Sequence, residues 1–327
     1  MRISFKKIQT IFMSWETRKN YLFSCVLFTF MFIVASIVSP YFLTYKNISQ
    51  LLIQMVTLGF VAMGQAYVLV SGGIDLSVGS LVSMTTLIIA LSPGVDPARL
   101  IIGFLLAIIA AVIVGILNYF SRMILGIDPF IGTLASMSIV QGLAYTISIG
   151  TAGTAPKHLL MIYNGKLGPI PVVVIIFGLV AFIAAIILEK TKTGLRIYAV
   201  GQSRQTASYS GLNTRQIILL VHIIAGMLIC LGGVFLTPRI SAGSPIVGSV
   251  FLLDSIAAVV LGGTPLTGGR GSITGTIAGT AIMSLINNFL NMLGVTIYWK
   301  FVAKGAILLA VVAGGSFMSG SITKKKI

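Results

Sequence analysis

Long apolar segments separated by short connectors restrict the folds open to this chain. An α-helix crosses a bilayer with about 20 apolar residues. Ten segments approach this pattern, at residues 21–43, 48–70, 76–92, 99–120, 129–149, 170–189, 216–237, 251–263, 272–294 and 301–315. Only 9% of the residues are charged, against roughly 25% in soluble domains. The sequence therefore predicts an all-α integral membrane protein of about ten helices, with 76–92 and 251–263 short enough to be broken or half-helices.

The basic residues predict the orientation of these helices. If the ten segments alternate in direction, fifteen lysines and arginines fall on the side of the N-terminus and six on the other side. The positive-inside rule then places both termini in the cytoplasm. We expect one membrane domain at 21–320 between basic tails at 1–20 and 321–327. The net charge is +16, but the basic residues lie mainly in the short connectors between apolar segments. They form no basic face with interleaved aromatic residues, so we expect no nucleic-acid partner.

The stretch "VLVSGGIDLSVGS", residues 68–80, interrupts two apolar segments with Gly72, Gly73 and Asp75. Two compatible interpretations exist for Asp75: it caps a helix that begins at Leu76, or it lies on a polar pathway through the membrane. A similar interruption, "GGTPLTGG", contains Gly262, Gly263, Gly268 and Gly269. Corresponding interruptions indicate a translocation site, although a short glycine pattern also arises by drift. The ten-segment count gives the two copies the same orientation, so an inverted repeat would require one of the segments to be re-entrant.

Amide and acidic side chains within the apolar segments are further candidates for a polar path through the membrane. Gln141, Asn287 and Asn291 could line a path for a neutral hydroxylated solute, because amides both donate and accept hydrogen bonds. The alternative is hydrogen bonding between helices. Asp254 could be interfacial or face the pathway, but its position favours a buried partner of a backbone or basic group. Asp128 is predicted to begin a helix. The small residues Gly275, Thr276, Gly279 and Thr280 favour close helix packing.

The longest basic connector, residues 190–215, has the pattern of a short helix. Ser203 can cap its start, and Gly211 stands where a helix ends in the left-handed conformation. This helix either links two bundles at the surface or docks a cytoplasmic partner.

Motifs for catalysis are missing from the sequence. It has no His-Glu-x-x-His, no paired cysteine motif and no phosphate-binding loop with its lysine. We therefore expect no catalytic residue, cofactor or metal site, and any ATP used in the protein's function must bind to another chain.

Five ordered stretches resemble the permease subunits of bacterial ATP-binding-cassette importers for monosaccharides, of the ribose type. They are "VLVSGGIDLSVGSLV", "DPFIGTLASMSIVQGLAY", "YAVGQSRQTASYSGLN", "LDSIAAVVLGGTPLTGGRGSITGTIAG" and "INNFLNMLGVTIYWKFVAKGAILLAVV", spanning about residues 45–315. Two positions depart from the usual pattern. Leu253 stands where an acidic residue is common, and Thr206 with Ala207 replaces a pair of alanines.

The resemblance implies a set of partners for the chain. These are a cytoplasmic ATPase, an extracytoplasmic sugar-binding protein, a second permease chain and the surrounding membrane lipid. It also implies ATPase coupling through the connector, at Gly201, Ser203, Ala207, Ser210 and Gly211. The competing hypothesis is an ion-coupled secondary transporter with Asp75 as its coupling carboxylate.

Overall fold

A helix is present at each of the ten predicted segments. The computed structural model describes residues 15–92 and 97–318, so most of the predicted tails, 1–14 and 321–327, lie outside the described residues. The elements are α1 (Trp15–Val38), α2 (Tyr45–Val70), α3 (Val78–Ala90), α4 (Pro97–Met123), α5 (Pro129–Ile147), α6 (Lys157–Asn164), β1 (Lys166–Leu167), β2 (Ile170–Pro171), α7 (Val172–Lys190), α8 (Lys192–Gln202), α9 (Arg204–Tyr209), α10 (Thr214–Ile240), a 3-10 turn (Val247–Ser249), α11 (Val250–Leu261), α12 (Ile273–Met292) and α13 (Ile297–Met318).

Six of these helices are long and apolar enough to cross a membrane: α2, α4, α5, α7, α10 and α12. Two further apolar helical stretches are shorter, α3 at Val78–Ala90 and the 3-10 turn with α11 at Val247–Leu261. The half-helix predicted near 251–263 is present as α11, which has 12 residues. The elements that were not predicted from the sequence are α6, the β1–β2 hairpin that follows it, α8 and the 3-10 turn before α11.

Helix α2 occupies the centre of the molecule. Every residue from Val56 to Val70 is buried, and α2 packs against α7, α10, α11 and α12. A helix that is buried all round must have neighbours on every side. The outer helices differ, since α4 exposes Ile101, Leu105, Ile109 and Ile113, four apolar residues at helical spacing that are suited to contact lipid.

The connectors gather at two opposite ends of the bundle. At the hairpin end, the Tyr45 hydroxyl donates to the carbonyl of Pro169 (2.9 Å) in the β1–β2 turn, and Ala152 pairs with Gly243. At the other end, which we call the junction end, the connectors after α2, α8 and α11 meet. Helix α2 therefore runs from the hairpin end to the junction end, and α11 runs in the same direction.

The short helix α3 packs on the chain that leads into α11. The Ser83 hydroxyl accepts a hydrogen bond from the Gly248 amide (2.9 Å), and the Thr86 hydroxyl accepts one from the Ser244 amide (3.1 Å). These side-chain contacts satisfy backbone groups of an irregular segment that has no helical partners of its own.

Candidate functional site

A cavity of about 310 Å³ opens between α2, α10, α11, α12 and α13. Its lining combines apolar side chains with amides, a hydroxyl, three basic residues and one acidic residue. The lining residues are Gln54, Leu58, Arg239, Val250, Phe251, Asp254, Ser284, Asn287, Asn291, Ile297, Lys300, Phe301 and Lys304. Two of the predicted pathway residues, Asn287 and Asn291, lie in this cavity.

An ion pair lies in the cavity wall. The Lys304 Nζ is 2.8 Å from the Asp254 Oδ2, and the two side chains are 12% and 4% exposed. The Asn287 amide also donates to the same oxygen (3.3 Å). The prediction that Asp254 is a buried partner of a basic group is therefore confirmed. Its other oxygen, Oδ1, is buried without a hydrogen-bond partner among the described residues.

The three neighbouring amides at the end of α12 have different environments. Asn291 accepts a hydrogen bond from Lys300 inside the cavity. Asn288, which does not line the cavity, instead exchanges hydrogen bonds with Asn47 of α2, at 2.9 and 3.3 Å. One turn of this helix therefore combines cavity lining with hydrogen bonding between helices.

Gln141, the third predicted pathway amide, lies away from this cavity. Its side chain donates to the carbonyl of Pro245 (2.8 Å), which precedes the 3-10 turn leading into α11. This contact joins α5 to an irregular segment, so Gln141 neither lines this cavity nor forms the hydrogen bond between two helices that the sequence left open as the alternative.

The two glycine-rich interruptions contact each other at the junction end, where they also contact the last residues of α8. The Gly269 amide donates to the carbonyl of Val70 (2.9 Å). A Cβ at Gly201 would collide with that same carbonyl oxygen, and one at Gly268 would lie 2.6 Å from the Gly72 Cα. Gly72 and Gly268 have φ of 75° and 78°, a conformation that favours glycine. The structure therefore joins three segments that are remote in sequence.

The remaining glycines of the two interruptions have separate surroundings. A Cβ at Gly73 would lie 2.7 Å from the guanidinium of Arg122, and one at Gly262 would collide with the backbone of Gly275 in α12. Gly263 closes the turn after α11, where its amide donates to the Val260 carbonyl (2.9 Å). These positions lie at the junction end, far along α11 and α12 from the amides of the cavity.

Arg122, at the end of α4, is a site residue that the sequence analysis missed. Its guanidinium donates to the Ser71 hydroxyl (3.2 Å), the Ser71 carbonyl (3.0 Å) and the Gly72 carbonyl (2.9 Å). Only 8% of the residue is exposed. In the sequence, Arg122 is simply one of the basic residues that follow an apolar segment. No local sequence pattern distinguishes a buried arginine from an exposed one at a helix end.

Asp75 is 3% exposed and both of its carboxylate oxygens are bonded. Oδ1 accepts from the Ser77 amide (2.8 Å) and from the Ser77 hydroxyl, and Oδ2 accepts from the Asn118 amide of α4 (3.1 Å). Helix α3 begins at Val78 rather than at Leu76, because this carboxylate stabilises the turn before the helix. Asp75 does not line the cavity.

The short helix α9 forms as the sequence predicts. The Ser203 hydroxyl accepts from the Thr206 amide (3.2 Å), and Gly211 has φ of 80°. Ala207 faces inward and is 5% exposed, whereas Tyr209 is 82% exposed. Ser210 turns its hydroxyl back onto the Thr206 carbonyl (3.0 Å). A second recess lies on the outer side of this helix, lined by Arg204, Gln205, Ser208, Tyr209, Thr214 and Arg215.

Comparisons with known proteins agree on one class of membrane protein. Residues 47–312 match the family described as "Branched-chain amino acid transport system / permease component". Over 286 residues the chain is 37% identical to the ribose import permease protein RbsC of Bacillus subtilis (strain 168), an alignment covering 86% of this chain and 88% of that protein.

Two further relatives extend the comparison to hexose permeases. The D-allose transport system permease protein AlsC of Escherichia coli (strain K12) is 35% identical over 289 residues, covering 86% of each chain. The galactose/methyl galactoside import permease protein MglC of the same strain is 30% identical over 296 residues, covering 84% of this chain and 87% of that protein. No solved structure matches the chain.

Proposed function

Because this chain belongs to the family of permease components described for branched-chain amino acid transport systems, we propose that it is the permease subunit of a monosaccharide importer. It is a multi-pass membrane protein and a transport subunit rather than an enzyme, since ATP is hydrolysed by a separate subunit in such importers. The proposed substrate class is supported by the 37% identity, over 86% of this chain, to a protein named as a ribose import permease. We assign a ribose-like sugar to it.

The family description names branched-chain amino acids, whereas the relatives named here carry pentose or hexose names. The cavity favours the sugar, because Asn287, Asn291, Ser284 and Gln54 offer neutral donors and acceptors that suit hydroxyl groups. An amino acid as the transported solute is therefore the second candidate, and competition by leucine tests it.

The proposed topology has ten crossings, with both termini in the cytoplasm of a bacterial cell. The junction end then faces the cytoplasm and the hairpin end faces outward. Fifteen basic residues lie on the cytoplasmic side in this arrangement: Arg2, Lys6, Lys7, Arg18, Lys19, Arg122, Lys190, Lys192, Arg196, Arg204, Arg215, Arg270, Lys324, Lys325 and Lys326. This bias supports the orientation.

The cytoplasmic ATPase is assigned to the outer side of α9, and the sugar-binding protein to the hairpin end. A second permease chain completes the pathway. ATP binding closes the ATPases, and their motion reaches the junction through Gly201 and Gly211. Helix α11 connects the cavity, which its first turns line, to the junction at its end, so a shift at Gly262 and Gly269 changes the cavity wall that contains Asp254. The sugar crosses by alternating access.

The ion-coupled alternative depends on Asp75, and it is not favoured. A coupling carboxylate has to exchange its ion with solvent during each cycle. Asp75 is instead buried with both oxygens bonded to Ser77 and Asn118.

We test the assignment by gentle affinity purification from the native membrane, with identification of every co-purifying protein. An ATPase present in stoichiometric amount is the expected result, together with uptake of D-ribose that vanadate inhibits and a proton uncoupler does not. A chain that purifies alone and still transports its solute would overturn the importer assignment.

The docking surface is tested by the substitution Tyr209→Asp on the exposed side of α9. We expect it to lower ATPase co-purification and sugar uptake by about tenfold or more, because a charge replaces an aromatic anchor at an interface. Membrane insertion should be unchanged, since Tyr209 is 82% exposed. The matched control is Leu167→Asp, another largely exposed site (70%), at the hairpin end, which should retain the ATPase.

A further inference from the structure

The hydroxyl of Tyr198, on α8, joins that helix to the second glycine-rich interruption. It donates to the carbonyl of Gly271 at 2.7 Å. Gly271 immediately precedes Ser272, whose hydroxyl accepts from the Gly275 amide (3.0 Å) and caps the start of α12. The tyrosine therefore holds the chain at the point where α12 begins.

Two residues near the end of α8, Gly201 and Gln202, contact the same interruption by close packing. A Cβ at Gly201 would lie 2.8 Å from the Gly269 amide nitrogen, and one at Gly269 would lie 2.6 Å from the Gln202 side chain. Close packing resists compression, whereas a hydrogen bond also resists separation and has a preferred direction. The Tyr198 hydroxyl therefore lets α8 pull the interruption as well as push it.

Helix α9 is joined to α8 through a single residue that is bonded in both helices. The Ser203 amide donates to the Ala199 carbonyl of α8 (3.3 Å), and the Ser203 hydroxyl accepts from the Thr206 amide of α9 (3.2 Å). Ala207 of α9 is 5% exposed, so the inner side of this helix is packed against the protein. A displacement of α9, the helix assigned to the ATPase, therefore moves α8 with it.

Helix α12 extends from the bond made by Tyr198 to the cavity. It has 20 residues, which corresponds to a length of about 30 Å. It begins beside Gly271 and contributes Ser284, Asn287 and Asn291 to the cavity lining. Rigid secondary elements and hydrogen bonds can carry energetic coupling between distant sites. A continuous path of contacts therefore leads from α9 through α8, Tyr198 and α12 to the cavity.

We propose that Tyr198 is a positioning residue for energy coupling, whose hydrogen bond to Gly271 transmits the motion of the docked ATPase to α12 and so to the cavity. This proposal rests on the proposed function, an importer driven by a separate ATPase. Tyr198 lines neither the cavity nor the recess on the outer side of α9. Its hydroxyl therefore affects how much transport each ATP drives, rather than the binding of sugar or ATPase.

The test compares two tyrosine variants that lose the same kind of hydrogen bond. Tyr198→Phe removes the hydroxyl that bonds Gly271. Tyr67→Phe is the matched control, because the Tyr67 hydroxyl donates to the Ala184 carbonyl, also at 2.7 Å, between α2 and α7. In proteoliposomes that contain the permease, its ATPase and its binding protein, we would measure D-ribose uptake and ATP hydrolysis. The thermal unfolding midpoint of each purified permease reports the structural cost.

We expect Tyr198→Phe to bind the ATPase and to support ATP hydrolysis, while the ATP consumed per D-ribose taken up rises about fivefold or more. A change on a coupling path can alter coupling by this order. Tyr67→Phe should lower the thermal midpoint to a similar extent and keep the wild-type ratio of ATP to sugar. Placing 4-aminophenylalanine at position 198 restores a donor and should return the ratio towards the wild-type value.

A wild-type ratio in Tyr198→Phe would overturn the proposal and leave the importer function intact, as would an equal rise of the ratio in Tyr67→Phe. If the wild-type complex shows no ATP-dependent uptake of a monosaccharide, the proposed function fails and the role of Tyr198 fails with it. Should Tyr198→Phe not assemble, 4-fluorophenylalanine at position 198 fills the place of the hydroxyl without donating. A raised ratio in that variant would support the role of the hydrogen bond, and an unchanged ratio would refute it.

Discussion

At the scale of single residues, Arg122 holds the interruption between α2 and α3 in place. Its guanidinium satisfies the carbonyls of Ser71 and Gly72, which lie beyond the last hydrogen bonds of α2. The terminal carbonyls of a helix need partners from elsewhere when no water reaches them. Arginine suits this position because its planar fork donates several hydrogen bonds at once. The interruption is therefore stabilised by a side chain about 50 residues further along the chain.

We predict that Arg122→Met lowers the free energy of unfolding by about 1–3 kcal/mol, because it leaves buried carbonyls without donors. The measurement is the thermal unfolding midpoint of the purified protein at a fixed scan rate. Arg122→Lys should have a smaller effect, since an ammonium keeps the charge but cannot reach all three acceptors. The control Arg196→Met, at an exposed arginine of α8, should match the wild type, and equal midpoints for all three variants would contradict the role of Arg122.

At the scale of secondary structure, α11 and α12 pack closely because small residues line their contact. Gly275, Thr276, Gly279 and Thr280 are all buried, as their sequence pattern predicts. A Cβ at Gly279 would collide with the Ala258 carbonyl and lie 2.7 Å from the Gly262 amide nitrogen. In a membrane, helix association depends on such packing, since lipid tails are as apolar as leucine. This contact fixes the half-helix that connects the junction to the cavity.

We predict that Gly279→Val separates α11 from α12 and costs about 1–3 kcal/mol through overpacking. The yield of folded protein and its thermal midpoint should both fall. Gly178→Val on α7 is the matched control, because a Cβ there meets no atom within 4 Å. If both valine variants unfold at the wild-type midpoint, close packing at Gly279 does not stabilise the protein.

At the scale of the whole molecule, the two ends of the bundle have different compositions and different contacts. The junction end joins the glycine-rich interruptions to α8, and the hairpin end carries the β1–β2 turn and the exposed aromatic residues Tyr298 and Trp299. Aromatic residues of this kind are enriched at membrane interfaces. The end with the basic connectors is the one we place in the cytoplasm.

This orientation predicts the accessibility of single cysteines in intact cells. In a background with Cys25→Ser and Cys230→Ser, a membrane-impermeant maleimide should label Leu167→Cys from outside. Ser208→Cys, in the exposed part of α9, should react only after the membrane is permeabilised. The reverse pattern would contradict the assigned orientation and, with it, the ATPase-docking role of α9.

The sequence determined those features that depend on a residue and its near neighbours. It predicted the membrane class, the ten helical segments, the start of α5 at Asp128 (whose carboxylate accepts from the Phe130 amide at 2.9 Å), and both boundaries of α9. Each follows from apolar runs or from capping side chains, which act over a few residues. The family resemblance rests on the same linear order of motifs.

Only the tertiary structure decided which segments meet. Asp254 pairs with Lys304, and Gly269 bonds Val70, because of how the helices pack. Apolarity could not reveal that packing: 83% of the α2 span is buried, against 28% of the more hydropathic α4 span. Lipid and protein interior are both apolar, so one composition suits either surroundings. The cavity and the glycine junction therefore became visible only when the helices were assembled.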